Sequence, residues 1–345
     1  MSYLKKVHEQ TDTRFWVNNP TLEDTRAAIA NDAFGCTTNP AYCSKLMQTD
    51  PDWMRGVIRD VVADNPGKGG SRLAETAYHE VARQLMEQFL PIYEESNGTR
   101  GFVTIQEDPR NEENHEFIIE ACLRAAKLAP NYMAKIPVTA HGLPVIAAML
   151  RHNIPVCATE VFTLSQARAT VELYEKIAGE TGNRPAMYVT HITGIMDDYF
   201  KDVVKKEKID IRPEALAAAG TAVALKQYAY LKDKDFNGAM LGGGARNLGH
   251  FTDFVGGAMH VTINWSTGAE LIDAFEEPER KIDRVIPADI IAELIEKLPN
   301  FERAYTDNAM TIDEFADFGP VMLFRTQFLN GYVRLVDEID IMRRQ

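Results

Sequence analysis

Residues 131–139 read Asn-Tyr-Met-Ala-Lys-Ile-Pro-Val-Thr, an apolar strand with one lysine, Lys135, in its middle. A helix is predicted over 142–152, a second apolar strand over 154–159, and another helix from Thr163. This order is the repeat of a parallel α/β protein. Because burial lowers the pKa of a lysine toward a neutral, nucleophilic amine, Lys135 is a candidate Schiff-base former. The alternative is a lysine at the strand end whose amine reaches solvent.

The same alternation of strands and helices extends through most of the chain. Eight strands are the number in a closed (β/α)₈ or TIM barrel. We therefore predict an α/β fold with one such barrel over residues 1–285, extra helices in its N-terminal half, and a helical extension over 286–345 that packs on the barrel. The eight predicted strands are 14–18, 33–37, 100–106, 131–139, 154–159, 185–191, 238–241 and 257–265.

Composition narrows the class of protein. The chain has 345 residues, 45% of them hydrophobic and 25% charged, which is enough for a large core. The net charge of −13 argues against general binding to nucleic acid or to an anionic membrane surface. Four scattered cysteines have no paired metal-ligand spacing, and the first residues lack the apolar core of a signal peptide. We expect a cytoplasmic protein with reduced thiols and no metal site.

Three short blocks carry a family resemblance: Cys36-Thr37-Thr38-Asn39-Pro40, Lys135-Ile136-Pro137-Val138-Thr139, and Ala158-Thr159 followed by Val161-Phe162-Thr163. In order and separation they resemble the transaldolase family of class I aldolases, and a weaker similarity extends from about Phe15 to Trp265. The resemblance implies an enzyme that moves a three-carbon dihydroxyacetone unit from a ketose to an aldehyde. The Schiff base itself is the electron sink, so no cofactor is expected.

The resemblance also assigns roles to individual residues. Lys135 would be the amine, and Thr37 and Asn39 in the Thr-Thr-Asn-Pro turn would contact the substrate. Thr159 would hold a catalytic water. From the residues alone, Asn39 is equally typical of an ordinary turn before proline.

The chain departs from the family at the positions of two carboxylates. Asn18 stands at the end of strand 1 where the family has an aspartate, and Gln106 stands on strand 3 where it has a glutamate. We expect both amides to position the water with Thr159, although an amide cannot accept its proton near neutral pH. Glu107 and Glu160 lie nearby, but strict alternation turns both away from the barrel interior unless a bulge intervenes.

The predicted anion site departs from the family as well. Arg246 matches the arginine after strand 7, but Gly244 replaces a serine and Gly194 replaces the arginine after strand 6. Gly244 is predicted to offer its backbone N–H to the substrate, or merely to form a tight turn. His191 lies where the family has an aromatic residue and is predicted to contact the substrate, with a structural histidine as the alternative.

Several functional alternatives remain open from the sequence. The first is a lyase that releases dihydroxyacetone, which Gln106 favours because the related fructose-6-phosphate aldolases have glutamine there. The second is a catalytically silent sugar-binding barrel, and the third is a pyridoxal-phosphate enzyme that uses Lys135. We expect sugars or sugar phosphates as ligands and neither nucleic acid nor membrane as partner. The sequence leaves the oligomeric state open, a homo-oligomer included.

Overall fold

The computed structural model describes residues 1–344, and its eight strands form a closed parallel barrel. Each strand pairs with the next along the chain, and the last pairs with the first. The prediction of a (β/α)₈ barrel is confirmed. The strands are β1 (Arg14–Asn18), β2 (Cys36–Thr37), β3 (Val103–Ile105), β4 (Tyr132–Pro137), β5 (Val156–Val161), β6 (Met187–Ile192), β7 (Gly238–Gly243) and β8 (His260–Ile263).

Helices surround the barrel and include the extra ones predicted between the second and third strands. Strand β8 was predicted to extend to residue 265, but it ends at Ile263. Trp265 begins a helix and does not belong to the barrel wall. The helices are α1 (Tyr3–Gln10), α2 (Leu22–Ile29), α3 (Tyr42–Thr49), α4 (Pro51–Asp64), α5 (Gly70–Glu95), α6 (His115–Ala125), α7 (Gly142–Arg151), α8 (Leu164–Thr181), α9 (Thr193–Glu207), α10 (Pro213–Leu231), α11 (Gly249–Thr252), α12 (Trp265–Ala274), α13 (Ala288–Lys297), α14 (Pro299–Tyr305) and α15 (Gly319–Met342).

The amino-terminal half of the barrel interior is filled with side chains. Trp16 is fully buried there, and its indole Nε1 donates to Nδ1 of His260 at 2.8 Å. A packed layer of this kind fills this half of the barrel and separates it from the carboxyl ends of the strands, where the active sites of such barrels lie. The apolar members of the layer are Trp16, Phe102, Met133, Cys157, Tyr188 and Leu241.

A β-bulge interrupts strand β5. Ala158 and Val161 pair with Val189 and His191, so three residue steps on β5 face two on β6. Glu160, the extra residue, has φ +60°, in the left-handed region that non-glycine residues rarely adopt. The bulge therefore reverses the direction that simple alternation assigns to the residues around it.

The helices after residue 286 contact other helices of the molecule. Helix α15 contacts α3, α5 and α9, and it carries Phe324 and Phe328 over the mouth of the barrel. A domain division at residue 285 stays a prediction, and Gln345 lies outside the described residues. Within residues 1–344, no helix is long and apolar enough to cross a bilayer.

Candidate active site

A pocket of about 270 Å³ opens at the carboxyl ends of the strands. It brings together six of the nine predicted site residues: Asn18, Thr37, Asn39, Lys135, Gly244 and Arg246. Side chains from β8 and α15 complete the wall. The sequence did not indicate these additional lining residues, which include Lys45, Thr190, Thr262, Asn264, Phe324, Gln327 and Phe328.

Lys135 lies on β4 and is only 6% exposed. Its Nζ donates to the carbonyl oxygen of Thr38 at 3.0 Å and lies 5.9 Å from the ring centre of Phe328. No carboxylate of residues 1–344 lies within 4.0 Å of this amine. Burial lowers the pKa of Lys135, although Cys157 and Glu160 partly oppose that shift. Such a setting favours the neutral, nucleophilic amine.

Asn18 and Thr37 lie beside Lys135 in a network of polar side chains. The carboxamide oxygen of Asn18 accepts from Thr37 at 3.0 Å, and its nitrogen donates to Asn264 at 3.0 Å. Thr37 also lies 2.6 Å from the hydroxyl of Thr262. The side chains of β1, β2 and β8 thus hold one another in fixed orientations, which preorganises this wall of the pocket.

The turn after β2 supplies two further polar groups. Oδ1 of Asn39 accepts from the backbone N–H of Ala41 at 3.1 Å, which leaves the carboxamide nitrogen to donate toward the pocket. Lys45, one turn into α3, also lines the pocket. Burial lowers its pKa, with Asp24 opposing. The sequence signal for Lys45 was its position shortly after the Thr-Thr-Asn-Pro turn, which directs the start of α3 to the barrel mouth.

Gln106 and Thr159 are buried behind the pocket and do not line it. The nitrogen of Gln106 donates to Oε1 of Glu160 at 3.0 Å. Since Glu160 is the bulge residue, its carboxyl group turns toward Gln106 rather than away from it. Asn18 belongs to the network with Thr37 and Asn264 and is separate from these residues. We call Gln106, Thr159 and Glu160 the buried triad.

Arg246 lies at the opposite wall, on the loop after β7. Its Nε donates to Asp198 at 2.8 Å, and one terminal nitrogen donates to the carbonyl oxygen of Gly244 at 2.9 Å. The guanidinium is thus partly engaged by the protein but remains partly exposed in the pocket.

A sequence model of the family described as transaldolase/fructose-6-phosphate aldolase matches residues 15–317. The chain belongs to this family. The transaldolase of Mycobacterium ulcerans is 27% identical over 225 residues, 61% of this chain and 58% of its own length. The transaldolase of Helicobacter pylori is 29% identical over 147 residues, 42% of this chain and 44% of its own length. The chain therefore spans about half the length of these curated relatives.

The two glycines that depart from the transaldolase pattern are adapted to each other. A side chain at Gly194 would begin 1.9 Å from the carbonyl oxygen of Gly244 and 2.8 Å from Cγ of Arg246. Gly244 has φ +66°, and a side chain there would begin 2.6 Å from Cγ2 of Ile192. Neither an arginine at 194 nor a serine at 244 fits this backbone without a shift. The side-chain stem of Arg246 lies where a side chain at position 194 would begin.

A buried pair holds the Arg246 loop in place. Nδ1 of His250 accepts from the backbone N–H of Arg246 at 3.0 Å, so the proton of this imidazole is on Nε2. That nitrogen donates to Asp197 at 2.9 Å, and Asp197 also accepts from the N–H of Gly220 at 2.8 Å. The chain of contacts ties the loop to α9 and α10. Neither His250 nor Asp197 was predicted, because no local pattern connects them.

The position of His191 contradicts its predicted substrate contact. Its neighbours Thr190 and Ile192 line the pocket, whereas His191 is fully buried on the other side of β6. Its Nδ1 lies 3.1 Å from the carbonyl oxygen of Val161, and burial lowers its pKa to about 4. Alternation along β6 explains the correction, since inward Thr190 forces its neighbour outward.

A larger cavity of about 430 Å³ lies at the amino-terminal face of the barrel. Arg184 is the one charged side chain among the described residues that line it. We assign the active site to the smaller pocket because it contains the buried amine, the polar networks and the carboxyl ends of the strands.

Proposed function

We propose that this chain transfers a three-carbon dihydroxyacetone unit from a ketose to an aldehyde through a Schiff base on Lys135. The observation that carries the proposal is the burial of this amine without a carboxylate partner, at the bottom of a polar pocket in a transaldolase-family barrel. A buried lysine that merely stabilised the fold would be expected to have an anionic partner.

In the proposed reaction, the neutral amine of Lys135 attacks the carbonyl carbon of the ketose. Loss of water gives an iminium ion, which withdraws the electron pair when the carbon–carbon bond breaks. The resulting enamine adds to the acceptor aldehyde, and hydrolysis frees the lysine. The carbonyl of Thr38 orients the amine, and the free carboxamide nitrogen of Asn39 donates to a hydroxyl of the donor.

The two cations in the pocket wall favour an anionic substrate. Lys45 and Arg246 approach the pocket from the β2 side and the β7 side respectively. Because Asp198 holds Nε of Arg246, the guanidinium offers its remaining N–H groups rather than a free bidentate face. We infer that Lys45 shares the binding of a phosphate or another anionic tail with Arg246.

A lyase that releases dihydroxyacetone to water is the second candidate. Gln106 favours it, because this amide stands where transaldolases have a glutamate and fructose-6-phosphate aldolases have a glutamine. Incubation of the donor with excess acceptor aldehyde separates the two candidates by product. A new ketose indicates transfer, and free dihydroxyacetone indicates cleavage.

The test is borohydride trapping followed by peptide mass spectrometry. Wild type, Lys135→Met and Lys45→Met are each incubated with fructose 6-phosphate and, separately, with dihydroxyacetone. With dihydroxyacetone we expect a three-carbon reduced adduct on Lys135 in wild type and in Lys45→Met, and no adduct in Lys135→Met. With fructose 6-phosphate the adduct should form more slowly in Lys45→Met, because the contact to the phosphate is lost. Lys45→Met is a matched control because it removes the other lysine of the same pocket.

The two donors distinguish the parts of the proposal. Labelling by dihydroxyacetone but not by fructose 6-phosphate would support the nucleophile and assign the pocket to a different donor. Label on Lys45, or no label with any ketone, would contradict the Schiff base at Lys135. In that case a silent sugar-binding barrel would become the leading candidate.

A further inference from the structure

The strained residue of the β5 bulge carries a carboxyl group beside the active site. Glu160 is the extra residue in the strand, and its φ of +60° is unusual for a residue with a side chain. A backbone conformation of this kind costs free energy and is most often retained at functional sites. Without the bulge, Glu160 would face away from Gln106.

The hydrogen bonds of the buried triad are incomplete. All three side chains are at most 3% exposed. Gln106 donates to Oε1 of Glu160, but Oε2 of Glu160, Oε1 of Gln106 and the hydroxyl of Thr159 have no partner within residues 1–344. Unpartnered buried polar atoms destabilise a fold. Three of them lie in one neighbourhood, and Glu160 is close enough to Lys135 to oppose the lowering of its pKa. We infer that these atoms hydrogen-bond during the reaction.

The charges around Glu160 favour its protonated form. Lys135 from β4, Glu112 from the segment before α6, and Arg325 from α15 face it. Neither of the two cations, Lys135 and Arg325, lies within 4.0 Å of the Glu160 carboxyl group. Burial, followed by Glu112, raises the pKa of Glu160 to about 8, while Gln106, Lys135 and Arg325 oppose the shift. A carboxyl group whose pKa lies near neutral pH can both donate and accept a proton.

We propose that Glu160 is the proton donor and acceptor for the reaction at Lys135, in place of the carboxylates that Asn18 and Gln106 replace. This inference rests on the proposed Schiff-base function. When the carbinolamine collapses, its C–O bond breaks, the nitrogen lone pair forms C=N, and the Glu160 proton goes to the departing hydroxide as water. The Glu160 carboxylate then accepts the hydroxyl proton of the donor as the carbon–carbon bond breaks, which restores the acid.

The bulge explains how the site keeps a carboxyl group despite the glutamine that directly follows β3. Gln106 and Glu160 are directly hydrogen-bonded. Compared with the transaldolase pattern, the carboxyl group is therefore at position 160 instead of position 106, on the other side of the same contact. The exchange predicts a specific rescue. In the double variant Gln106→Glu/Glu160→Gln, the hydrogen bond is kept with its two partners interchanged.

The experiment compares wild type, Glu160→Gln, Gln106→Glu/Glu160→Gln and, as a charge control, Glu113→Gln, which alters an exposed carboxylate nearby. We expect Glu160→Gln to lower kcat about 100-fold, with an unchanged denaturant midpoint because glutamine still accepts from Gln106. The limb of the wild-type kcat–pH profile near the pKa of Glu160 should disappear. The kcat of the double variant should be at least about tenfold higher than that of Glu160→Gln.

Borohydride trapping on the same proteins separates this inference from the proposed function. Dihydroxyacetone should still label Lys135 in Glu160→Gln, but more slowly than in wild type. Labelled wild type together with an unchanged kcat and pH profile in Glu160→Gln would overturn the role of Glu160 alone. A parallel loss of stability and activity without rescue would assign Glu160 a structural role. Unlabelled wild type would overturn the Schiff base itself.

Discussion

Two buried glutamates, Glu107 and Glu160, each follow a predicted site residue by one position, but they face different surroundings. Just after β3, Nε2 of His79 donates to both oxygens of Glu107 at 3.1 and 3.2 Å. On β5, Glu160 has one hydrogen bond and one unpartnered oxygen within residues 1–344. The first is a hydrogen-bonded pair between helix α5 and the barrel, and it is an ion pair when His79 is protonated. The free oxygen of Glu160 is available for a hydrogen bond with another group.

The difference teaches how a carboxylate that stabilises a fold is distinguished from one that is available for chemistry. Both side chains are at most 5% exposed, so burial does not separate them. What separates them is whether every polar atom has a partner and whether the backbone is strained. Glu107 follows β3 with an ordinary backbone conformation, whereas Glu160 lies in the β5 bulge with a positive φ.

After Glu160→Gln, the largest effect should follow Thr159→Val, which removes a hydroxyl from the incomplete triad with little change of shape. We expect kcat to fall about 10- to 100-fold. The free energy of unfolding should stay constant or rise by up to about 1 kcal/mol, because the lost hydroxyl has no hydrogen-bond partner among the described residues. Steady-state kinetics and urea unfolding measure both. An equal fall in stability and activity would remove the distinction between the two glutamates.

Glu107→Gln should have the opposite signature. Replacing the charged acceptor of His79 should lower the free energy of unfolding by about 1–3 kcal/mol. The kcat per folded molecule should remain within about twofold of wild type, since Glu107 faces away from the pocket. Urea unfolding and assays at equal folded concentration provide the check. A kcat loss like that of Glu160→Gln would show that the outer pair also serves catalysis.

The pH dependence of stability should also separate the two regions. Burial alone would lower the pKa of His79, but Glu107, with a smaller effect of Glu75, raises it on balance, and Arg124 opposes. Because the folded pKa lies above the unfolded value, the stabilisation by the pair is fully present below about pH 6 and is lost as pH rises through the folded pKa.

The measurement is the difference in unfolding free energy between wild type and His79→Gln from about pH 5.5 to 8.5. This difference should shrink as the pH rises, and the shrinkage should be absent when the same comparison is made in the Glu107→Gln background. A difference that grows with pH would contradict the ion pair.

The smallest effect should come from Asp198→Asn, which removes an exposed partner of Arg246. Since exposed ion pairs contribute little, the unfolding free energy should change by less than about 0.5 kcal/mol. The freed guanidinium should lower KM for an anionic ketose about two- to threefold and leave KM for dihydroxyacetone unchanged. Asp202→Asn, an exposed change on the same helix, is the control. Equal effects of both variants would indicate a general charge effect.

Much of the fold was accessible from the sequence, because strand and helix periodicities are local signals. The eight strands were predicted in their order, and the three family blocks located Lys135, Asn39 and Thr159. Strand ends were less accurate: β8 was predicted to 265 but ends at Ile263. Trp265 was assigned to the strand because a lone aromatic residue is as typical of a strand end as of the first turn of a helix.

The candidate site was predicted less completely, for reasons of register and distance along the chain. His191 was assigned to the pocket, but a shift of one residue on β6 places it outside. Conversely, Phe324 and Phe328 were interpreted as a face for helix docking, and they also line the pocket. Contacts between residues so far apart in the chain leave no periodic trace.

The sequence by itself determined that the chain forms a (β/α)₈ barrel with a lysine in β4, because hydrophobic patterning and short motifs act over a few residues. Only the tertiary structure decided which groups surround that lysine. The direction of Glu160 depends on one extra residue in the β5–β6 register, and Lys45, Arg246 and α15 reach the pocket from distant parts of the chain. A side chain's face is set by register, and register is settled only when strands pair.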